Sequence, residues 1–304
     1  MATLTVRRIL HPTDFSAFAA GAFAHTLALA EVFGAELHLL HAVVLHGVGP
    51  AVRLPSDEED AVPRELTLLA GQAQAKGLQV TTAVRRGLYP GPVILDYAEE
   101  RDLDLTVMAT HGRRGPSRLL LGSVTEEVLR HSRRPVLTVR TGATAHRGLP
   151  VRRVLAAVDL AMVAQPVVAA AAEIARRFAA DLDLVHVFEQ PVRPETYGIQ
   201  TSRDVLMRRQ EVEPLVLAEL GRLATAEAAE VSVTSHLRFG RAATEILSLA
   251  EDLESDLLVI AGFGGLHRLL FGSTAEQLLR LAPCPLLVLR GETAGEAREP
   301  EERS

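Results

Sequence analysis

The feature that most restricts this chain is that it repeats itself. Residues 119–140, LLLGSVTEEVLRHSRRPVLTVR, lie over 269–290, LLFGSTAEQLLRLAPCPLLVLR, with ten identities in twenty-two positions and no gap. Upstream, RRILHPTD at 7–14 lies over RRVLAAVD at 152–159, and GAELHLLH at 34–41 over AADLDLVH at 179–186, both at an offset of 145 residues. A chain that spells one pattern twice must close two similar cores, and 304 residues suffice for two domains of ordinary size. The expected division is a first domain at 1–141, a linker at 142–150, a second domain at 151–291 and a tail at 292–304. The seam TGATAHRGLPV has the Gly and Pro content of a connection, and the tail, TAGEAREPEERS in its polar part, has the composition of disorder.

Within each copy, short runs rich in Leu and Val alternate with longer segments of helical spacing, which predicts βα units and a parallel sheet. Strands are expected at 8–11, 36–43, 79–85, 105–109 and 136–140, with helices from about Ser16, Asp57, Gly91 and Ser123. The second copy follows, with strands near Val154, Leu182, Val231, Leu257 and Leu286. The fold class is therefore α/β, as two tandem, doubly wound, Rossmann-like domains of five parallel strands each. In such a sheet a ligand sits beyond the carboxyl ends of the strands, where the winding direction reverses.

The segment after the fourth strand carries the chemistry. It reads Ala109, Thr110, His111, Gly112, then nine residues including Arg113, Arg114, Gly115 and Arg118, then Gly122 and Ser123, where a helix opens. Glycines at 112 and 122 let backbone approach an anion without a Cβ in the way. The amides of Ser123, Val124 and Thr125 are helix-terminal donors with the positive end of the helix dipole behind them. A plainer reading competes: Ser123 to Glu126, SVTE, is a capping-box pattern, and STAE repeats it from Ser273 to Glu276. A cap explains Ser-x-x-Glu but not Gly112 or the long loop before it.

The pattern of strand, small residue, two residues, Gly, nine residues, Gly-Ser/Thr and helix resembles the nucleotide loop of the universal stress protein family, and an Asp closing the first strand, Asp14 in HPTDFS, is a second shared feature. The resemblance spans the chain twice, so the sequence looks like a tandem member. It implies strand order 3-2-1-4-5 and a crevice between the first and fourth strands, in which Asp14 faces the 112–123 loop. It implies ATP, or ADP or AMP, as the ligand; magnesium on the phosphates would suit such a ligand, because that ion keeps its waters and needs few protein ligands. It also implies adenine contacts near Val43 and Met108, with Pro12 and Thr13 at the same edge. Met108 has an alternative role as core filler, and Pro12 and Thr13 as the end of a strand. The family's first glycine is Ala109 here.

The second copy departs further. Only seven residues separate Gly264 from Gly272, and Phe263 stands where the first copy has His111. Asp159, Gly262, Gly264, Gly272, Ser273 and Thr274 form the corresponding candidate set, with weaker or absent binding expected. Single-domain relatives pair through the fifth strand. The apolar fifth strands here predict a pseudo-dimer within the chain or a homodimer between chains.

Composition narrows the rest. Net charge is −6 and the arginines are dispersed, which argues against a nucleic-acid partner. A single cysteine, Cys284, excludes an internal disulfide and a multi-thiolate metal site and fits a cytoplasmic protein. No apolar run reaches membrane-spanning length, and the first residues lack a signal-peptide pattern, so a soluble, unprocessed chain is expected. His38, His41 and His46 suggest a metal, but positions 38 and 41 alternate to opposite faces of a strand, so no metal site is assigned. There is no Walker-type lysine loop and no Gly-x-Ser-x-Gly elbow. Asp14 and His111 in one pocket would support slow ATP hydrolysis at most. The expected function is an adenine-nucleotide sensor or regulator acting through an unidentified protein partner. The alternatives are a weak ATPase and an interaction protein with an empty fold.

Overall fold

The computed structural model describes residues 4–45, 56–110, 121–140, 149–161, 164–189, 202–262 and 272–290. The first half runs β1 (Arg8–Pro12), α1 (Ala17–Phe33), β2 (Glu36–Val44), α2 (Ser56–Gln74), β3 (Val80–Gly87), α3 (Pro90–Glu100), β4 (Leu105–Ala109), α4 (Ser123–His131) and β5 (Val136–Val139). The second repeats it as β6 (Arg153–Ala157), α5 (Ala164–Phe178), β7 (Asp181–Phe188), α6 (Ser202–Glu227), β8 (Val233–Phe239), α7 (Ala242–Asp252), β9 (Leu257–Gly262), α8 (Ser273–Leu281) and β10 (Leu286–Arg290). Element boundaries differ from the sequence expectation by at most two residues. Residues 142–148 of the expected linker and the tail lie outside the described residues.

All ten strands form one sheet in the order β3-β2-β1-β4-β5-β10-β9-β6-β7-β8. Each half thus has the order 3-2-1-4-5, parallel throughout, and the halves meet at an antiparallel pair, with Leu286 opposite Thr138 and Val288 opposite Val136. The edge strand that each half would leave open is paired with its counterpart. Two side chains stitch the junction: Thr138 Oγ1 donates to the Leu286 carbonyl at 3.2 Å, and Arg140 Nη1 to the Ala282 carbonyl, at the carboxyl end of α8, at 3.2 Å. A cation there complements the helix dipole.

Alternation along the strands sorts side chains onto two faces. Ile9, Leu37, Leu39 and Val107 meet α1 and α2, and this layer continues through Val154, Leu182 and Val259 under α5 and α6. Leu10, Leu40, Met108 and Val136 join Leu155, Leu258 and Val288 in the opposite layer, with α3, α4, α7 and α8. Cys284 is buried in that second layer.

One carboxylate in each half clamps the amino ends of its central strands. Asp104 accepts from the Arg7 and Arg8 amides at 2.8 and 2.9 Å, and Asp256 from those of Arg152 and Arg153 at 2.7 and 3.0 Å. Among the described residues no helix is long and apolar enough to cross a membrane.

Candidate functional site

β1 lies between β2 and β4, so the segments that leave the carboxyl ends of β1 and β4 turn away to opposite faces of the sheet and leave a crevice. On the β1 side, Thr13 donates its amide to the Leu40 carbonyl at 2.8 Å. Its own carbonyl accepts from His41 Nδ1 at 2.8 Å, and the imidazole stacks on Phe15 with ring centroids 4.7 Å apart. Phe15 sits at φ +59°, left-handed backbone that a side chain seldom adopts. The turn is tied by its neighbours: Thr13 Oγ1 accepts from the Phe15 amide and Asp14 Oδ1 from the Ser16 amide, each at 3.0 Å. Asp14 is thereby held, half-buried, at the lip of the crevice.

On the β4 side, the Gly122 amide donates to the Thr110 carbonyl at 2.8 Å, so the excursion between them leaves and returns at one point. Thr125 Oγ1 donates to the Ala109 carbonyl at 2.8 Å and fixes α4 against the end of β4. His111, Gly112, Arg113 and Gly115, with Arg114 and Arg118, lie outside the described residues.

The capping-box reading is wrong. The N-cap of α4 is Gly122, in extended backbone, which has no side chain to cap with. Ser123 is already the first helical residue and is exposed. Glu126 pairs with Arg130 one turn on rather than reaching back. The same shift occurs in α8, where Gly272 is the uncapped N-cap and Glu276 pairs with Arg280. By contrast α1 is capped in the ordinary way, with Ser16 Oγ accepting from the Ala19 amide at 3.2 Å. The first-turn amides of α4 are thus served by no side chain of their own helix, which suits an outside anion.

Val43 and Met108 are both buried, 6% and 5% exposed. Met108 belongs to the buried layer with Leu10, Leu40 and Val136, in the core role foreseen as its alternative. His38 and His41 serve different partners, the Tyr97 hydroxyl at 3.0 Å and the Thr13 carbonyl. His46 lies outside the described residues. Among those described, no group of three His, Cys, Asp or Glu is placed to hold a metal.

The second half keeps the turn. His186 Nδ1 donates to the Val158 carbonyl at 2.9 Å, and Asp159 Oδ1 accepts from the Ala161 amide at 3.0 Å. Asp159 is exposed where Asp14 is half-buried. Gly272, Ser273 and Thr274 open α8, and Gly264 lies outside the described residues. Gly262 has a structural reason of its own, since a Cβ there would come within 2.7 Å of the Leu289 carbonyl on β10.

Sequence reasoning missed the histidine braces. His41 and His186 stand in register in the quoted repeats, and their matching positions at two strand ends were the signal. A hollow of about 610 Å³ lies elsewhere, at the amino ends of β1 to β3, and Arg7, Arg8, Glu36 and Gln79 help line it. It is at the wrong end of the sheet for the crevice described above.

The profile of the universal stress protein family matches residues 5–140 and again 150–290. The chain belongs to the universal stress protein family. Universal stress protein MJ0531 of Methanocaldococcus jannaschii is 34% identical over 143 residues, 44% of this chain and 82% of that protein. Over nearly the whole length, a universal stress protein from Archaeoglobus fulgidus has the same fold, with TM-score 0.68 at 22% identity across 93% of this chain and 98% of that one. A universal stress protein solved in complex with cAMP aligns with 45% of this chain and 99% of its own, at 24% identity and TM-score 0.38.

Proposed function

We propose that the first half binds ATP or a related adenine nucleotide, with magnesium carried on the phosphates, and that the protein acts in the cytoplasm as a stress-response sensor or regulator. The observation that carries this reading is the uncapped start of α4. Gly122 is pinned to Thr110 beside the end of β4, and among the described residues no side chain accepts from the Ser123, Val124 and Thr125 amides. A phosphate chain would complete that cap, because it supplies the negative charge that a helix amino terminus favours. Asp14, braced through Thr13 by His41, lies across the crevice, where a carboxylate accepts hydrogen bonds from ribose hydroxyls. The apolar ends of β2 and β4, at Val43 and Met108, supply the neighbourhood for the base.

Such a site would bind and orient its ligand. Magnesium, when present, would neutralise the phosphate oxygens while retaining most of its waters. The test is calorimetric titration of the full chain with MgATP, together with mass spectrometry of any nucleotide released on denaturation. Saturable binding near one ATP per chain supports the reading. Absence of both binding and released nucleotide defeats it.

A further inference from the structure

The two switch points are not built alike, although the repeats align. In the second half the β6–β9 ladder runs through four pairs, Val154↔Leu257, Leu155↔Leu258, Ala156↔Val259 and Ala157↔Ile260. In the first half the β1–β4 ladder stops after two, Ile9↔Leu105 and Leu10↔Thr106. The residues at which it stops are His11 and Pro12, over Ala156 and Ala157 at the offset of 145.

Elementary backbone chemistry explains the difference. The register Ala156↔Val259 presents the Ala157 N–H to the Val259 carbonyl, the next rung of a parallel ladder. Pro12 has no N–H to present to Val107 in the same way. That carbonyl, buried beside β1, still needs a donor, and His11 supplies one, its Nδ1 lying 3.1 Å from Val107 O. The same nitrogen is 3.1 Å from Thr26 Oγ1, whose own proton goes to the Ala22 carbonyl, so one imidazole N–H is shared between two acceptors. The single absent N–H accounts for both missing pairs, and an imidazole on the α1 face, not a backbone amide, links β1 to the Val107 carbonyl. The ring is fully buried, tilted against Phe23 at 5.3 Å, and its Nε2 has no partner. Burial holds the imidazole neutral and lowers its pKa to about 4.

We propose that His11 and Pro12, by replacing a backbone hydrogen bond between β1 and β4 with a side-chain one, make the carboxyl ends of these strands easier to part and so make the first half the nucleotide-competent one, while the continuous backbone ladder keeps the corresponding ends of the second half together. The inference rests on the nucleotide reading above for the identity of the ligand, but not for the opening itself. His11 acts here as a positioning residue, since it holds the strands and touches no ligand.

Restoring the missing N–H tests it. In the full chain, Pro12→Ala lets the ladder continue. Its affinity for MgATP is expected to fall at least about tenfold, while the melting temperature stays level or rises. A residue needed only for stability would show the opposite coupling. Hydrogen exchange without added nucleotide gives a ligand-independent arm: in the native chain residues 105–110 should exchange faster than 257–262, and Pro12→Ala should slow the former. The reciprocal Ala157→Pro should speed exchange in 257–262. Unchanged affinity in Pro12→Ala, or lost affinity with unchanged exchange, overturns the proposal; the latter would make Pro12 a ligand contact only. If the native chain binds no ATP, the nucleotide reading fails, and the exchange comparison alone decides whether the strand ends of the first half part more easily.

Discussion

The two halves share a strand order, a braced aspartate turn and an uncapped helix, yet differ in what is buried between them. The first half places imidazoles in its interior: His11 at the switch point, and His38 between the Tyr97 hydroxyl and the Glu36 carboxylate, which is 3.3 Å from its Nε2. The second half has an alanine at the first place and a carboxylate at the second, where Asp183, 4% exposed, accepts from His236 Nε2 at 2.7 Å with Arg153 at 3.7 Å. One sequence pattern thus tolerates two polar solutions, provided that the backbone groups at the strand ends keep their partners. What the comparison teaches is that strand order survives changes that reshape the crevice.

The sharpest way to break the comparison is at the glycine that opens each last helix. Gly122 has φ −62° and ψ 139°, which valine adopts without strain. Gly122→Val should therefore fold normally and lose nucleotide affinity by more than about a hundredfold, measured by calorimetry. Gly272→Val should leave the affinity as it was. Equal losses from both would mean that the halves bind alike.

Next in size is the buried pair of the second half. His236→Ala leaves Asp183 with only the more distant Arg153, and should cost about 3 kcal/mol in denaturant unfolding. His38→Ala removes a hydrogen bond from Tyr97 and a contact with the part-exposed Glu36 carboxylate, and should cost about 1 to 2 kcal/mol. A reversed order would remove the contrast between the two interiors.

Acid should separate the halves by a smaller amount. His11 has a folded-state value near 4 against 6.5 for the free side chain, so the unfolded chain binds the proton more readily. Its contribution is intact above pH 6.5, and stability is lost as pH falls from there towards 4. By pH 5 the loss is about 2 kcal/mol. Ala156 titrates nothing, so His11→Ala should flatten the dependence of melting temperature on pH. A slope equal to that of the native chain would assign the acid sensitivity elsewhere.

The smallest contrast is between two serines. Ser16→Ala should cost about 1 kcal/mol, because it removes a cap bond. Ser123→Ala should cost no more than about 0.5 kcal/mol, because its hydroxyl caps nothing. Both are measured by thermal unfolding.

Much of this architecture was legible from the repeat and from alternation along the strands, since both are period effects that tertiary context rarely overturns. The fifth strands, apolar on both faces, announced that their edges needed cover. The helix cap was misread by one position. Ser-x-x-Glu fits a box only if serine is the N-cap, and here the preceding glycine takes the extended conformation while Glu126 finds Arg130 one turn ahead. Gly262 carried an ambiguity that sequence cannot resolve, because a close strand and a close ligand both call for a missing Cβ. Pro12 was readable as the end of a strand. That the imidazole beside it replaces a backbone donor was not, because it depends on where the Val107 carbonyl points across the sheet.

The antiparallel junction of β5 with β10 has a consequence for how such a molecule can change. Two separate copies joined at that edge would come apart on dilution and would always be identical. Here the partners share one polypeptide, so their pairing is intramolecular and does not depend on how much protein a cell makes. Each copy is also encoded by its own stretch of sequence. A substitution at Ala156 or Ala157 need not be matched at His11 or Pro12, and one crevice can drift while its neighbour continues to support it.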